Sequence, residues 1–171
     1  MRPTDLSLED PAPQRALVTS RAETHEAVLL AIRSAARVVR CLHLDLSLFD
    51  LASPEAVERL AGLLLAHRSA RVRLLVDDAT WLDMGAARLR ALQQRFPHAL
   101  ELRIASHDDP VGDDAYLVAD DGVALNMKPT AHARGDLWLN NKPHAQPLIA
   151  AFDRRWEAAA HNLPVVPLGL G

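Results

Sequence analysis

Four Asp-Asp pairs, at 77–78, 108–109, 113–114 and 120–121, are the densest chemistry-bearing residues of this sequence, and each falls at a predicted strand end or loop. Carboxylates on loops are what hard cations such as Mg²⁺ or Ca²⁺ take as ligands. Two metals held that way can cleave a phosphodiester. None of the pairs sits in EF-hand spacing, and Asp is also the ordinary residue of turns and helix caps. The sequence therefore assigns no metal and implies no cofactor. A second group is His43, Asp45 and Ser47. In an extended strand a period of two puts all three on one side, and ligands of α/β sheets collect at the carboxyl ends of strands. His43 and Asp45 are thus candidate pocket residues. The competing reading is a half-exposed sheet face whose histidine is satisfied by nearby backbone. Cys41 is the one cysteine, so no internal disulfide forms, and within an apolar strand it reads as a small core residue.

The composition limits what these groups serve. The chain has 171 residues, 49% hydrophobic and 24% charged, which suits one domain with a real core. A net charge of -3 argues against strong non-specific DNA binding, which needs a basic face to displace counterions. Aromatic residues are only 4%, which disfavours a stacking groove for single strands, so nucleic acid is not the expected partner. Arginine greatly outnumbers lysine, whose only examples are Lys128 and Lys142; this bias carries no functional weight. No apolar run approaches the roughly 20 residues of a membrane helix. The first residues lack the apolar stretch of a signal peptide, so the expected location is the cytoplasm, away from membranes.

The elements that would position these groups follow from periodicity. Residues 1–17, with Pro3, Pro11 and Pro13 among polar residues, read as a tail; 18–162 read as one α/β domain; 163–171 read as irregular. Ser20 and Glu23 form a capping box ahead of a helix. A strand is predicted over 38–48, where Leu42, Leu44, Leu46 and Leu48 alternate with polar residues. Ser53-Pro54 opens a second helix, 71–76 a strand, and Thr80 a third helix that Pro97 ends. A strand at 100–105 follows, then short strands near 116–119, 123–127 and 137–139, the first pair joined by Asp120-Asp121-Gly122. A last helix is predicted from Pro147 to about Ala160. The pattern is α/β: a mixed, mostly parallel sheet flanked by helices.

This order of elements resembles one half of the phospholipase D superfamily over about residues 18–160. Three landmarks carry the resemblance. Arg71-Val72-Arg73-Leu74-Leu75-Val76-Asp77 is similar to the family's second strand, and Phe152-Asp153-Arg154-Arg155-Trp156 to its closing helix. Between them, Tyr116-Leu117-Val118-Ala119-Asp120-Asp121-Gly122 resembles the strand and turn that end the family's His-x-Lys-x4-Asp signature. If Asp121 is the signature Asp, the attacking His is replaced by Asp114 and the Lys by Tyr116. A carboxylate repels the phosphodiester it would attack, and Tyr brings no positive charge. No histidine of the chain is followed two residues later by Lys; His132-x-Arg134 is the nearest mimic. The resemblance thus implies a catalytically degenerate member, whose former centre would gather Asp114, Tyr116, Lys128 and Asp136. It also implies a two-fold homodimer, because working members join two halves across the active site. It extends to degenerate domains attached behind GNAT-type acetyltransferases in bacteria, which makes an acetyltransferase partner or fusion an expectation. The function expected is a non-catalytic binding or regulatory module; the alternative is a metal-assisted phosphodiesterase or nuclease with an acidic site.

Overall fold

The computed structural model describes residues 1–159; Ala160, near which the last helix was expected to end, and the stretch expected to be irregular, 163–171, lie outside the described residues. Seven strands are formed: β1 Gln14–Val18, β2 Val38–Leu42, β3 Arg71–Val76, β4 Leu100–Ile104, β5 Ala115–Ala119, β6 Val123–Met127 and β7 Gly135–Leu139. They make one sheet in the order β1-β7-β6-β5-β2-β3-β4. The helices are α1 Arg21–Ser34, α2 Pro54–Ala66, α3 Thr80–Gly85, α4 Ala87–Arg95 and α5 Lys142–Ala158. The strands β2, β3 and β4 pair in parallel, and helical crossovers join them, as parallel neighbours require. All other pairings are antiparallel. The mixed α/β sheet agrees with the sequence reading, with one refinement. Only β5 and β7 run against the other strands, yet because they alternate with them, parallel pairing is confined to β2-β3-β4.

Alternation along each strand decides which layer a side chain joins. Cys41, Leu74, Leu102, Leu117 and Leu137 pack with Val28, Ile32, Leu60 and Leu89 of the helices on one face. Leu42, Leu75, Tyr116 and Val118 pack with Phe152 and Trp156 of α5 on the other. Each large apolar side chain buried this way contributes about 1.5–3 kcal/mol.

Four local expectations are corrected. The strand predicted over 38–48 stops at Leu42. His43 Nδ1 then accepts the Leu46 N–H at 3.1 Å, Leu46 turns left-handed at φ 70, and a 3-10 turn spans Ser47–Phe49. The leucine alternation has another cause: Leu46 and Phe49 return to the core as a loop. Part of the expected 1–17 tail is built into the fold: Gln14–Val18 is the edge strand beside β7, and Leu6 packs into the core behind a turn at Pro3–Asp5. The third helix breaks into α3 and α4 around Ala86, and Thr80 bonds to Asp78 instead of capping it. The last helix begins before Pro147: Asn141 caps it by accepting the His144 N–H, and Pro147 lies inside. Ser20 and Ser53 cap α1 and α2 as expected.

Candidate functional site

One end of the sheet gathers the carboxyl ends of β2, β3 and β6 and the starting ends of β5 and β7. Here the chain leaves the sheet at each strand, so side chains face a shared space. Asp77, just past β3, accepts the N–H groups of Val111 and Gly112, both at 2.9 Å, and so pins the loop that leads into β5. The N–H groups of Asp77 and Asp78 donate to the Leu44 carbonyl at 2.9 Å, which ties the loop after β2 to the same end. Between these loops, the start of α1 and the β6–β7 connection lies a cavity of about 480 Å³.

Its lining is basic, hydroxylic and apolar. Arg21, Lys128, His43 and His132 supply the nitrogens; Thr24, Ser47 and Thr130 supply hydroxyls. Leu44, Leu48, Met127 and Pro129 are apolar neighbours, and Asp113 is the carboxylate in the lining. Thr24 is committed to the Ser20 carbonyl, and the Thr130 hydroxyl donates to the His132 carbonyl. Neither Arg21 nor Lys128 takes part in an ion pair among the described residues. Burial holds the His43 imidazole below its ordinary pKa, and Asp45 draws it partway back. Asp45 Oδ1 lies 3.2 Å from His43 Nδ1 and also accepts from the Ser47 N–H and hydroxyl.

The residues singled out in the sequence do not converge. His43 and Lys128 line the cavity, with Asp45 beside His43. Asp114 and Tyr116 belong to the α5 face: Arg155 donates to Asp114 at 2.8 Å, and Tyr116 is buried against Phe152 and Trp156. Burial, more than its charged neighbours, pushes the Tyr116 phenol up to about 12. Asp136 lies towards the β1 edge, in an ion pair with Arg15 at 2.6 Å. Asp121 is at the opposite end of β5, paired with Lys142 at 3.3 Å. Arg21 and Thr130 were missed, and Asp113 was singled out only as a member of an Asp-Asp pair. Arg21 follows directly from the Ser20 cap, but its place beside the cavity becomes legible only once β1 is recognised as the strand that leads into α1.

The turn after β5 offers a second count of the signature spacing. Asp120 accepts the N–H groups of Ala36, Arg37 and Val38 at 3.0, 2.8 and 3.0 Å, whereas Asp121 reaches only a surface lysine. Counted back from Asp120, the spacing falls on Asp113 and Ala115, and both line the cavity. Neither count finds a histidine or a lysine. Two more of the paired aspartates have structural partners: Asp78 with Thr80, and Asp109 with Arg154 and Arg155. No group of three His, Cys, Asp or Glu that could hold a metal ion occurs among the described residues. No helix among them is long and apolar enough to cross a membrane.

This sheet, with one long helix on the α5 face and a cleft at the strand ends, is the phospholipase D-like half-domain fold. Nuc, a phospholipase D family member from Salmonella typhimurium, is similar over 89% of this chain and 99% of its own, with a TM-score of 0.63 at 17% identity. NucT from Helicobacter pylori is similar over 87% of this chain and 99% of its own, with a TM-score of 0.56 at 9% identity. TrmBL2, an archaeal chromatin protein described as showing a novel mode of DNA binding, aligns over 85% of this chain and 53% of its own, with a TM-score of 0.64 at 12% identity. At these identities the likeness is one of fold. The chain belongs to the family described as a domain of unknown function, DUF7931, whose model matches residues 20–164. No curated protein matches it.

Proposed function

We propose that this chain is a non-catalytic, phospholipase D-like binding module whose ligand enters the cleft beside His43 and Lys128. One observation carries the reading: the two cleft-facing positions where the spacing calls for a nucleophile and a cation hold Asp113 and Ala115. A carboxylate there does not replace an imidazole nucleophile, and a methyl group stabilises no charge on phosphoryl oxygens. Moving the count by one residue gives Asp114 and Tyr116, which are held by Arg155 and the α5 core. The metal-assisted alternative finds no group of three candidate ligands among the described residues, and Asp77, Asp78, Asp109 and Asp114 each have other partners. A cleft without chemistry still binds, since concave sites with a few convergent polar groups do so whether or not they react. The module is a two-fold homodimer in this reading, which sedimentation velocity checks by mass.

Bis(p-nitrophenyl) phosphate with Mg²⁺, Mn²⁺ or EDTA tests the reading directly. No release of nitrophenol above buffer is expected under any of the three. Turnover that EDTA abolishes and Asp113→Ala removes would replace it with the metal-assisted enzyme.

A further inference from the structure

Two features of the cleft have no counterpart inside the protein. The first is charge. Among the lining residues, Arg21 and Lys128 carry two positive charges against the single carboxylate of Asp113, while Asp45, outside the lining, sits against His43. Both cations are exposed and neither is ion-paired among the described residues. The other feature is apolar surface. Leu44 is 49% exposed, although its carbonyl is fixed by the two N–H groups from the end of β3. It borders the same cavity as Leu48, Met127 and Pro129. An exposed leucine held rigidly in a concave wall is surface that a ligand's carbon chain would cover.

We propose that the cleft takes an amphiphilic anion: a compact terminal phosphate or carboxylate held by Arg21 and Lys128, with a short apolar stem along Leu44, Leu48 and Pro129. A volume of about 480 Å³ suits a small organic molecule of this kind. The inference rests on the cleft being a binding site and adds the class of ligand. Phosphate and carboxylate heads share the chemistry of accepting charge-assisted hydrogen bonds from Arg and Lys. The stem separates this ligand from a bare ion. Each buried methylene tightens binding by roughly fourfold, so affinity rises with chain length until the apolar wall is covered.

Isothermal titration of the full chain with inorganic phosphate, propyl phosphate, hexyl phosphate, hexanoate and hexylammonium tests it. Hexyl phosphate, hexanoate or both are expected to bind, with propyl phosphate at least tenfold weaker than hexyl phosphate if the head is phosphate. Preference between hexyl phosphate and hexanoate assigns the head. The double variant Arg21→Gln/Lys128→Gln is expected to weaken binding at least tenfold, and Leu44→Ser to flatten the chain-length dependence. Thermal melts of each variant confirm that these exposed changes leave the fold intact. The proposal is overturned if hexylammonium binds as well as the anions, if chain length has no effect, or if the double variant binds like the parent. These outcomes are independent of the nitrophenyl phosphate assay. Turnover there with amphiphile binding intact would sink the non-catalytic reading alone, and absence of both would sink only this one.

Discussion

At the scale of single residues, Asp120 is the clearest case of a carboxylate used as structure. Its oxygens hold three successive N–H groups at the start of β2, and its own N–H donates to the Val38 carbonyl at 2.8 Å. Asp120→Ala removes those acceptors and places alanine at φ 52, a conformation that Asp and Asn tolerate better. Stability is expected to fall by about 1–3 kcal/mol in urea unfolding, less for Asp120→Asn, which keeps one acceptor oxygen. Asp121→Ala next door breaks only an exposed pair and changes little. The Asp-Asp-Gly turn was legible in the sequence. Which aspartate does the holding was not, because that depends on residues more than eighty positions away. His43 offers a pH test. Burial lowers its pKa in the folded chain, so between the ordinary value of about 6.5 and the lower folded value the unfolded chain binds more protons. Its contribution is therefore complete above about pH 6.5 and is lost as pH falls through that window, with a slope of at most about 1.4 kcal/mol per pH unit. His43→Asn keeps an acceptor for the Leu46 N–H and does not titrate. Urea midpoints from pH 7.5 to 5 are expected to fall less steeply for this variant than for the parent.

At the scale of elements, the sequence was most readable where periodicity and caps agree, as in α1 and α2 behind Ser20 and Ser53. It misled where a tertiary partner decides the outcome. The alternating leucines after Cys41 satisfy the pattern of a strand, yet the register with β3 and β5 ends at Leu42, and beyond it the backbone bonds go to His43 and to the end of β3. Pro147 looked like a first helical residue, but Asn141 caps a turn and a half earlier and the helix accommodates the proline within. Gly135 shows how tightly one strand junction is built. It faces Met127 across the β6–β7 pair, and a Cβ placed there would meet the Asn126 carbonyl oxygen and stand 2.9 Å from Met127 Cα. Neither neighbour is a flexible side-chain tip, so Gly135→Ala forces the two strands apart. A loss of about 1–3 kcal/mol is expected, with faster amide exchange concentrated in Val123–Met127 and Gly135–Leu139. Uniform exchange at the parent rate would show that the pair absorbs the methyl group without opening.

At the scale of the whole molecule, the family-matched stretch begins at residue 20, whereas the sheet begins at Gln14. The strand β1 lies beside β7 over five register pairs, from Gln14 opposite Leu139 to Val18 opposite Gly135. Val18 is fully buried and Leu6 nearly so, although both precede the matched stretch. Removing residues 1–18 therefore strips apolar burial worth at least about 3 kcal/mol and uncovers the β7 backbone as a free sheet edge, a template for pairing with other chains. The cleft is affected by the same cut, because β1 leads straight through the Ser20 cap to Arg21. A chain starting at Thr19 is expected to have a lower urea midpoint, to scatter light at concentrations where the parent does not, and to lose affinity for hexyl phosphate. Retention of the parent's midpoint and solution behaviour would mean that the N-terminal strand only leans on a sheet already complete at β7. The placement of Arg21 would then have to come from the packing of α1 against α2, β5 and β6.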